Sequence, residues 1–337
     1  MEKHAFNKPA EKWLLIERED THNYTAAENI PDEYLQLIMP YAGAYFYRDE
    51  DCDMLTQHIK VGEFSIFGHD IFARQYFILR PYTSQHILAL HYMHDDTIHA
   101  MIDHMGPFRL SEKEVNLFSL HADFHTAALD VGQRITSFHI NVKPAMLPAL
   151  VAKFPALQPL TLESTEHLNG PVNKQPYQIN FVGSLLLSKL LSCRYVGMQA
   201  ECYLYRCCVD LYQNFAIQYA QSLQEPAHLP DSQIALMYRV LEYIKTHIPE
   251  RFTSKELAVR FNIPEALLRT AFEQVFATPA DDFILQQRMM TAYDLLLQTR
   301  SSLNSIAYRT GYRNRLALTV EFEKYYGYDP IAIRNAQ

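Results

Sequence analysis

The stretch Thr253-Ser-Lys-Glu-Leu-Ala-Val-Arg-Phe-Asn-Ile-Pro264, running on to Phe272 and Phe276, recurs in altered form as Ser302-Leu-Asn-Ser-Ile-Ala-Tyr-Arg-Thr-Gly-Tyr312, running on to Phe322 and Tyr326. Leu257-Ala258-x-Arg260 aligns with Ile306-Ala307-x-Arg309, Asn262 with Gly311, Phe272 with Phe322, Phe276 with Tyr326, and Pro279 with Pro330. Each copy describes two short helices around a tight turn, the helix-turn-helix signature. Two such units in tandem place two helices for adjacent major grooves of a duplex. The C-terminal third is therefore expected to be all-α, with double-stranded DNA as its partner.

Within the first copy, Thr253 and Glu256 have the spacing of a capping box, so a helix is predicted to start there. Asn262 ends it, because asparagine tolerates the left-handed backbone of a sharp exit. Pro264 suits the first turn of the next helix, where a missing N–H costs nothing. Leu267, Leu268, Ala271 and Phe272 then follow at helical spacing as an inward face. Glu265, Ala266, Arg269 and Thr270 are left outward, as the candidate DNA-reading face. In the second copy Ser302 is the cap, Ser305 replaces the glutamate, and Gly311 supplies the turn. Arg313, Asn314 and Arg315 fall at the start of its second helix, where guanidinium groups beside a helix N-terminus suit phosphate. Leu316, Ala317, Thr319 and Val320 follow, and Glu321 and Glu323 further on do not suit a polyanion. Residues 281–297 between the copies read as one long amphipathic helix that fixes the separation of the two readers.

These residues resemble the AraC/XylS family of transcription regulators from about Asp231 to the C-terminus. The resemblance rests on the Ala-x-Arg pairs, the connecting helix with Arg288 and Leu295-Leu296-Leu297, and the ending Phe322-Glu-Lys-Tyr-Tyr-Gly-Tyr-Asp-Pro330 with Arg334. It implies base reading by Ala266, Arg269 and Thr270 in the first unit and by Arg315, Leu316, Ala317 and Val320 in the second. It also implies a homodimer on promoter DNA, a small-molecule effector, and contact with RNA polymerase, with activation as the mode by analogy. The chain departs from the family pattern at Ala277, where a glycine is usual, and at Glu323, where a basic residue is usual. Leu316, Ala317 and Val320 stand where polar or basic residues are common, so the second unit is expected to contribute mainly phosphate contacts.

Composition bounds the rest. The 337 residues suffice for two or three domains, and 30 basic against 38 acidic residues give a formal net charge of −8. From Asp231 onward there are thirteen basic and twelve acidic residues, leaving seventeen and twenty-six for the remainder. A near-neutral DNA-binding part implies modest, salt-sensitive affinity unless a dimer doubles the contacts. An odd number of cysteines, five, argues against a secreted disulfide framework. No run approaches the ~20 apolar residues of a membrane span, so the chain reads as soluble and cytoplasmic, without a membrane partner.

From about Val61, short aromatic and β-branched runs separated by Gly106, Gly132 and several Asp and Pro residues suggest an antiparallel barrel or sandwich. Within the family resemblance this looks like a cupin-like effector barrel. Residues 178–191 and 197–223 read as two longer helices, expected to dimerise. The fold class expected is thus α+β multidomain: residues 1–60 unassigned, a cupin-like β-barrel sensor over 61–165, a helical dimerisation region over 166–223, a linker over 224–231, and the tandem helix-turn-helix domain over 232–337.

Two sets of residues invite sharper readings. His91, His94, His121, His125 and His139 fall in the β region, as metal ligands of a cupin would, but no His-x-His occurs and they read as strand and loop histidines. Cys202, Cys207 and Cys208 read as small buried residues of a helix. No nucleophile–base pair, paired-carboxylate signature or Gly-rich phosphate loop stands out, and only 10 glycines occur. No enzyme activity, cofactor or metal is called for. The rivals are a metal-dependent cupin enzyme fused to a helical regulatory domain, and an interaction protein that has lost specific DNA reading.

Overall fold

A computed structural model describes residues 15–18, 29–83, 85–102, 106–121, 125–161, 169–224 and 228–336. The chain divides into two compact units. One comprises Met1–Ile179 with Leu191–Arg194, and the other Asn180–Leu190 with Tyr195–Gln337.

In the first unit the strands are β1 (Leu15–Arg18), β2 (Gly43–Arg48), β3 (Cys52–Val61), β4 (Phe64–Ala73), β5 (Phe77–Tyr82), β6 (Ile87–Asp95), β7 (Ile98–Ile102), β8 (Gly106–Leu110), β9 (Glu114–Leu120), β10 (Thr126–Leu129), β11 (Arg134–Val142), β12 (Gly170–Pro171) and β13 (Tyr177–Gln178). A one-turn helix α1 (Asp32–Leu35) precedes β2, and α2 (Leu147–Lys153) follows β11 between two 3-10 turns. All pairings are antiparallel, as the runs predict. They form two sheets, neither closed on itself: β1-β5-β10-β7-β8, and a larger β12-β9-β6-β11-β4-β3-β2 with β13 also on β9. The expected barrel therefore takes the form of two sheets packed face to face.

The alternation of each strand explains that packing. Met54, Phe67, Ile71, Ala89, Phe118 and Ile135 of the larger sheet share one core with Phe77, Leu79, Ala100, Ala127 and Leu129 of the smaller. Strands β2 and β3 belong to the larger sheet although they precede residue 61. The run Phe72–Leu79, which reads as one strand, breaks at residues 74–76, where Arg74 N and Gln75 N donate to Asp51 O. On the outer face Asp53 accepts from Tyr34, Arg48 and Arg74, and Asp70 from Arg134 and Thr136, so the buried carboxylates are paired.

The second unit is all-α: α3 (Phe181–Leu191), α4 (Gly197–Ser222), α5 (Asp231–Thr246), α6 (Ser254–Arg260), α7 (Glu265–Phe276), α8 (Ala280–Gln298), α9 (Leu303–Arg309), α10 (Arg315–Tyr326) and α11 (Pro330–Asn335). The helices expected to form a separate dimerisation region lie in the same unit as the helix-turn-helix repeat. Of the expected linker, residues 225–227 lie outside the described residues.

Helix α4 is buried along most of its length and ties to both repeats. Asn214 Nδ2 donates to Phe276 O at 2.8 Å, Ala277 O at 3.1 Å and Thr278 Oγ1 at 3.1 Å, satisfying carbonyls at the end of α7. One turn earlier, Asp210 accepts from Tyr325 Oη of α10 at 2.6 Å and pairs with Arg206, whose guanidinium lies 3.8 Å from the centroid of the Tyr325 ring. Burial, and then the nearby Asp210 carboxylate, push the Tyr325 hydroxyl well above its ordinary range, so it stays a donor.

Candidate nucleic-acid interface

The two repeats are built as their spacing predicts. At α6, Thr253 Oγ1 accepts from Glu256 N at 3.4 Å and Glu256 Oε2 accepts from Thr253 N at 2.7 Å, closing the capping box. Ser254 N and Oγ both donate to Asp281 of α8, fixing α6 to the connecting helix. At α9, Ser302 Oγ accepts from Ser305 N at 3.2 Å, a single-sided cap. The turns use left-handed backbone: Asn262 has φ 53° and Gly311 φ 81°. Glycine is required at the second. A Cβ there would lie 3.0 Å from Arg288 Nε and from the backbone oxygen of Ile248. Arg288, from the middle of α8, donates to Glu250 O at 2.9 Å, and its guanidinium lies 5.5 Å from the Phe252 ring centroid and 6.0 Å from that of Tyr312.

Those frames point the second helices outward as read. On α7, Leu268, Ala271, Phe272 and Phe276 are buried and Leu267 half-buried, while Glu265, Ala266, Arg269 and Thr270 are exposed together. Thr270 Oγ1 donates to Ala266 O at 2.9 Å, so its hydroxyl is turned back on the helix and its methyl group is the part left to meet a partner. On α10, Asn314 is the cap and accepts from Ala317 N at 2.9 Å. Arg315 N donates to Asn304 Oδ1 of α9 at 3.1 Å, which pins the helix start. Arg313, Asn314, Arg315, Leu316 and Val320 are exposed, and Ala317 and Thr319 half-buried. Leu316 at 68% and Val320 at 54% exposure make this face apolar beyond its first turn.

The arginines of this unit divide by their partners. Arg260 pairs with Glu250 and covers the Tyr243 ring, Arg334 donates to Leu296 O and Ser301 O, and Arg288 is engaged as described. Among the described residues no hydrogen bond or ion pair holds the side chains of Arg239, Arg269, Arg300, Arg309, Arg313 or Arg315, and of these Arg269, Arg313 and Arg315 lie on or beside the outward second helices. Three unengaged guanidinium groups on two outward helix faces are what a polyanionic groove requires. Sequence reasoning passed over Lys255 on α6 and Arg309 on α9, both exposed in the same repeat frame. Their signal is their equivalence to positions flanking the readers.

Such a pair of frames defines a tandem helix-turn-helix protein. Residues 257–336 match the family model described as a helix-turn-helix domain. Residues 257–336 thus form a helix-turn-helix domain, an element of the kind that enters the grooves of DNA. Similar solved structures include the C-terminal domain of AraT, a response regulator from Geobacillus stearothermophilus. It is 26% identical and TM-score 0.28, with 29% of this chain and 82% of that one covered. The DNA-binding domain of AdpA, a global transcriptional factor in complex with a target DNA, has 26% identity and TM-score 0.28, covering 29% and 88%. ToxT from Vibrio cholerae has 12% identity and TM-score 0.28, covering 77% and 97%. No curated protein matches the chain.

The β unit answers the histidine question differently from the sequence. His69, His91 and His139 are buried on one face of the larger sheet, with ring centroids 5.5 Å apart for His69 and His139 and 4.5 Å for His91 and His139. Desolvation pushes the His69 imidazole down to about 3 and His91 to about 4, and holds His139 well below its ordinary value with help from the other two rings. Among the described residues no group of three or more His, Cys, Asp or Glu is placed to hold a metal ion. All five cysteines are buried, as small core residues would be. Among the described residues no helix is long and apolar enough to cross a membrane.

Proposed function

We propose that the chain binds promoter DNA as a homodimer and activates transcription in response to a small molecule held by its β unit. The observation that carries the DNA-binding part is the unengaged arginines Arg269, Arg313 and Arg315 on the outward faces of two equivalent helices. Helix α7 reads bases with Ala266, Arg269 and Thr270, and Glu265 at its N-terminus selects against phosphate approach at that end. Helix α10 anchors to phosphate through Arg313, Asn314 and Arg315, whose side chains lie beside the helix N-terminus. Leu316, Ala317, Thr319 and Val320 then face the groove with little but carbon, and thymine C5-methyl groups are what an apolar face can read there. A near-neutral binding domain supports the dimer, since repeated half-sites double a modest contact set. The effector acts by binding one arrangement of the dimer better than another. RNA polymerase as the downstream partner follows from the family resemblance.

Fluorescence anisotropy of the full chain on DNA selected from a random duplex pool, against a scrambled duplex and across a salt series, tests this reading. Tighter binding to the selected duplex, with a steep log–log salt slope, is the expected result. Equal and salt-insensitive binding to both would overturn it.

A further inference from the structure

DNA binding uses the outward faces of α7 and α10, and both of these helices end on the same stretch of α4. Arg206, Asp210 and Asn214 follow one another at four-residue intervals, so they form one stripe along that helix. Asn214 takes the end of α7: its Nδ2 donates to Phe276 O and Ala277 O, where the chain leaves the helix. The amide is oriented for this role, because its Oδ1 accepts from Asn180 Nδ2 at 2.9 Å and from Gln218 Nε2 at 3.1 Å. Asp210 takes the end of α10, accepting from the hydroxyl of Tyr325 in its last turn. A carboxylate beside a helix C-terminus is unfavourable by itself, and Arg206 supplies the counter-charge. Asp210, Asn214 and Tyr325 are all buried. Further along α4, Gln221 Nε2 donates to Glu273 O of α7 at 2.9 Å, and Gln199 Nε2 to Ala336 O at the end of α11 at 2.6 Å. A helix whose sequence suggested a dimer interface thus spends directed, buried hydrogen bonds on both repeats.

We infer that the turn of α4 from Asp210 to Asn214 positions the two reading helices relative to one another and so sets the separation of the two DNA segments that the chain accepts. The inference rests on the DNA-binding reading given above and adds to it the residues that fix its spacing. Helix geometry supplies the lever. Asp210 and Asn214 are four residues apart, so the anchors of α7 and α10 lie about 6 Å from each other along α4. The two reading helices have 12 residues each, a length of about 18 Å. The residues that face DNA lie in their N-terminal halves, away from the anchors. A swing of about 10° about the anchored end moves the far end by about 3 Å, close to the ~3.4 Å rise of one base pair. Slack at α4 that is small in angle is therefore a whole base-pair step at the readers. The connecting helix α8 meets α10 through the ring of Tyr293 against Phe322 and Tyr326. Ring contacts of that kind prefer certain geometries but tolerate sliding more than a hydrogen bond does. Asp210 and Asn214 are thus positioning residues: they touch no DNA and act through the helices they hold.

The test is fluorescence anisotropy of the full chain on its selected duplex and on two derivatives, carrying one base pair more or one fewer between the two segments that it protects. The parent is expected to bind either derivative at least ~10-fold more weakly, the usual cost of a displaced base contact. Tyr325→Phe, which keeps the ring and loses only the hydroxyl, and Asn214→Ala should each cut that penalty to ~3-fold or less, with the selected duplex still bound. Ile244→Val removes one methyl group from the core of α5 and leaves both anchors in place, so it should keep the full penalty. If Asn214→Ala does not fold, Tyr325→Phe decides alone. A full penalty in the folded variants would overturn the proposal. So would an equal fall in Ile244→Val, which would assign the effect to general loosening. A parent that prefers the selected duplex yet tolerates both derivatives also overturns it. A parent without any preference for the selected duplex removes the DNA-binding reading itself, so the two failures are told apart by the parent alone.

Discussion

Glu265, Ala266, Arg269 and Thr270 on α7 occupy the same positions in their repeat as Arg315, Leu316, Thr319 and Val320 on α10, yet the two faces have little chemistry in common. The first offers one long guanidinium beside the methyl groups of Ala266 and Thr270, with a carboxylate at its helix N-terminus. The second has its guanidinium groups at the N-terminus and carbon beyond. Their supports differ as well. Helix α7 ends on a neutral amide, Asn214, whereas α10 ends against the buried Arg206–Asp210 ion pair. One frame thus carries two surfaces, because the frame is set by caps, turns and buried aromatics that the outward residues do not touch.

The comparison can be broken first at its supports. Asp210→Ala leaves Arg206 buried without its partner, and the loss expected in urea unfolding is about 3–5 kcal/mol. Asn214→Ala removes a neutral amide from the α7 carbonyls and should cost about 1–3 kcal/mol. Equal costs would show that the two supports are not different in kind. The turns come next: Gly311→Ala imposes positive-φ strain and a close approach to Ile248 O, and should cost about 1–3 kcal/mol. Asn262→Gly should stay within ~0.5 kcal/mol of the parent, since both residues accept that conformation.

On DNA, Arg269→Ala should lose ~1–3 kcal/mol of specific binding and relax the preference at one base position, whereas Arg313→Ala should weaken all sequences alike and reduce the salt slope by about 1. Replacing thymine by deoxyuridine, which removes only the 5-methyl group, should cost about 0.8 kcal/mol per methyl where α10 reads. Leu316→Ala should abolish that difference, and its persistence in the variant would remove the apolar reader from the account. A further effect on stability concerns the exit of α7. Ala277 takes φ 48° where its counterpart Gly327 takes 83°. Ala277→Gly should therefore raise stability by about 0.5–1 kcal/mol in the same unfolding assay, the strain relieved exceeding the added chain entropy.

The repeat was legible in the sequence because its determinants are local. A capping box spans four residues, a left-handed turn one, and an inward face follows a 3.6-residue period, so Thr253, Asn262, Gly311 and the faces of α7 and α10 could be read from the chain alone. Helix α4 shows where that stops. Its apolar positions read as a helix over 197–223 expected to dimerise, and Asn214 and Asp210 give no sign in the sequence that they answer the ends of α7 and α10. The buried histidines show the same limit in a sheet. His69, His91 and His139 are far apart in sequence and meet only through the register of β4, β11 and β6, which periodicity does not specify. Strands β2 and β3 fall almost wholly in a segment to which the sequence assigns no role, and they complete the larger sheet.

The anchoring of both readers from behind has an evolutionary consequence. Tyr325 and the end of α7 are bound to α4, and the start of α6 to α8, so Ala266, Arg269, Leu316 and Val320 carry no structural duty of their own. Substitutions at such unengaged surface positions usually change stability by less than ~0.5 kcal/mol. A lineage carrying this scaffold can exchange one target sequence for another residue by residue, and each intermediate remains folded while its preference drifts.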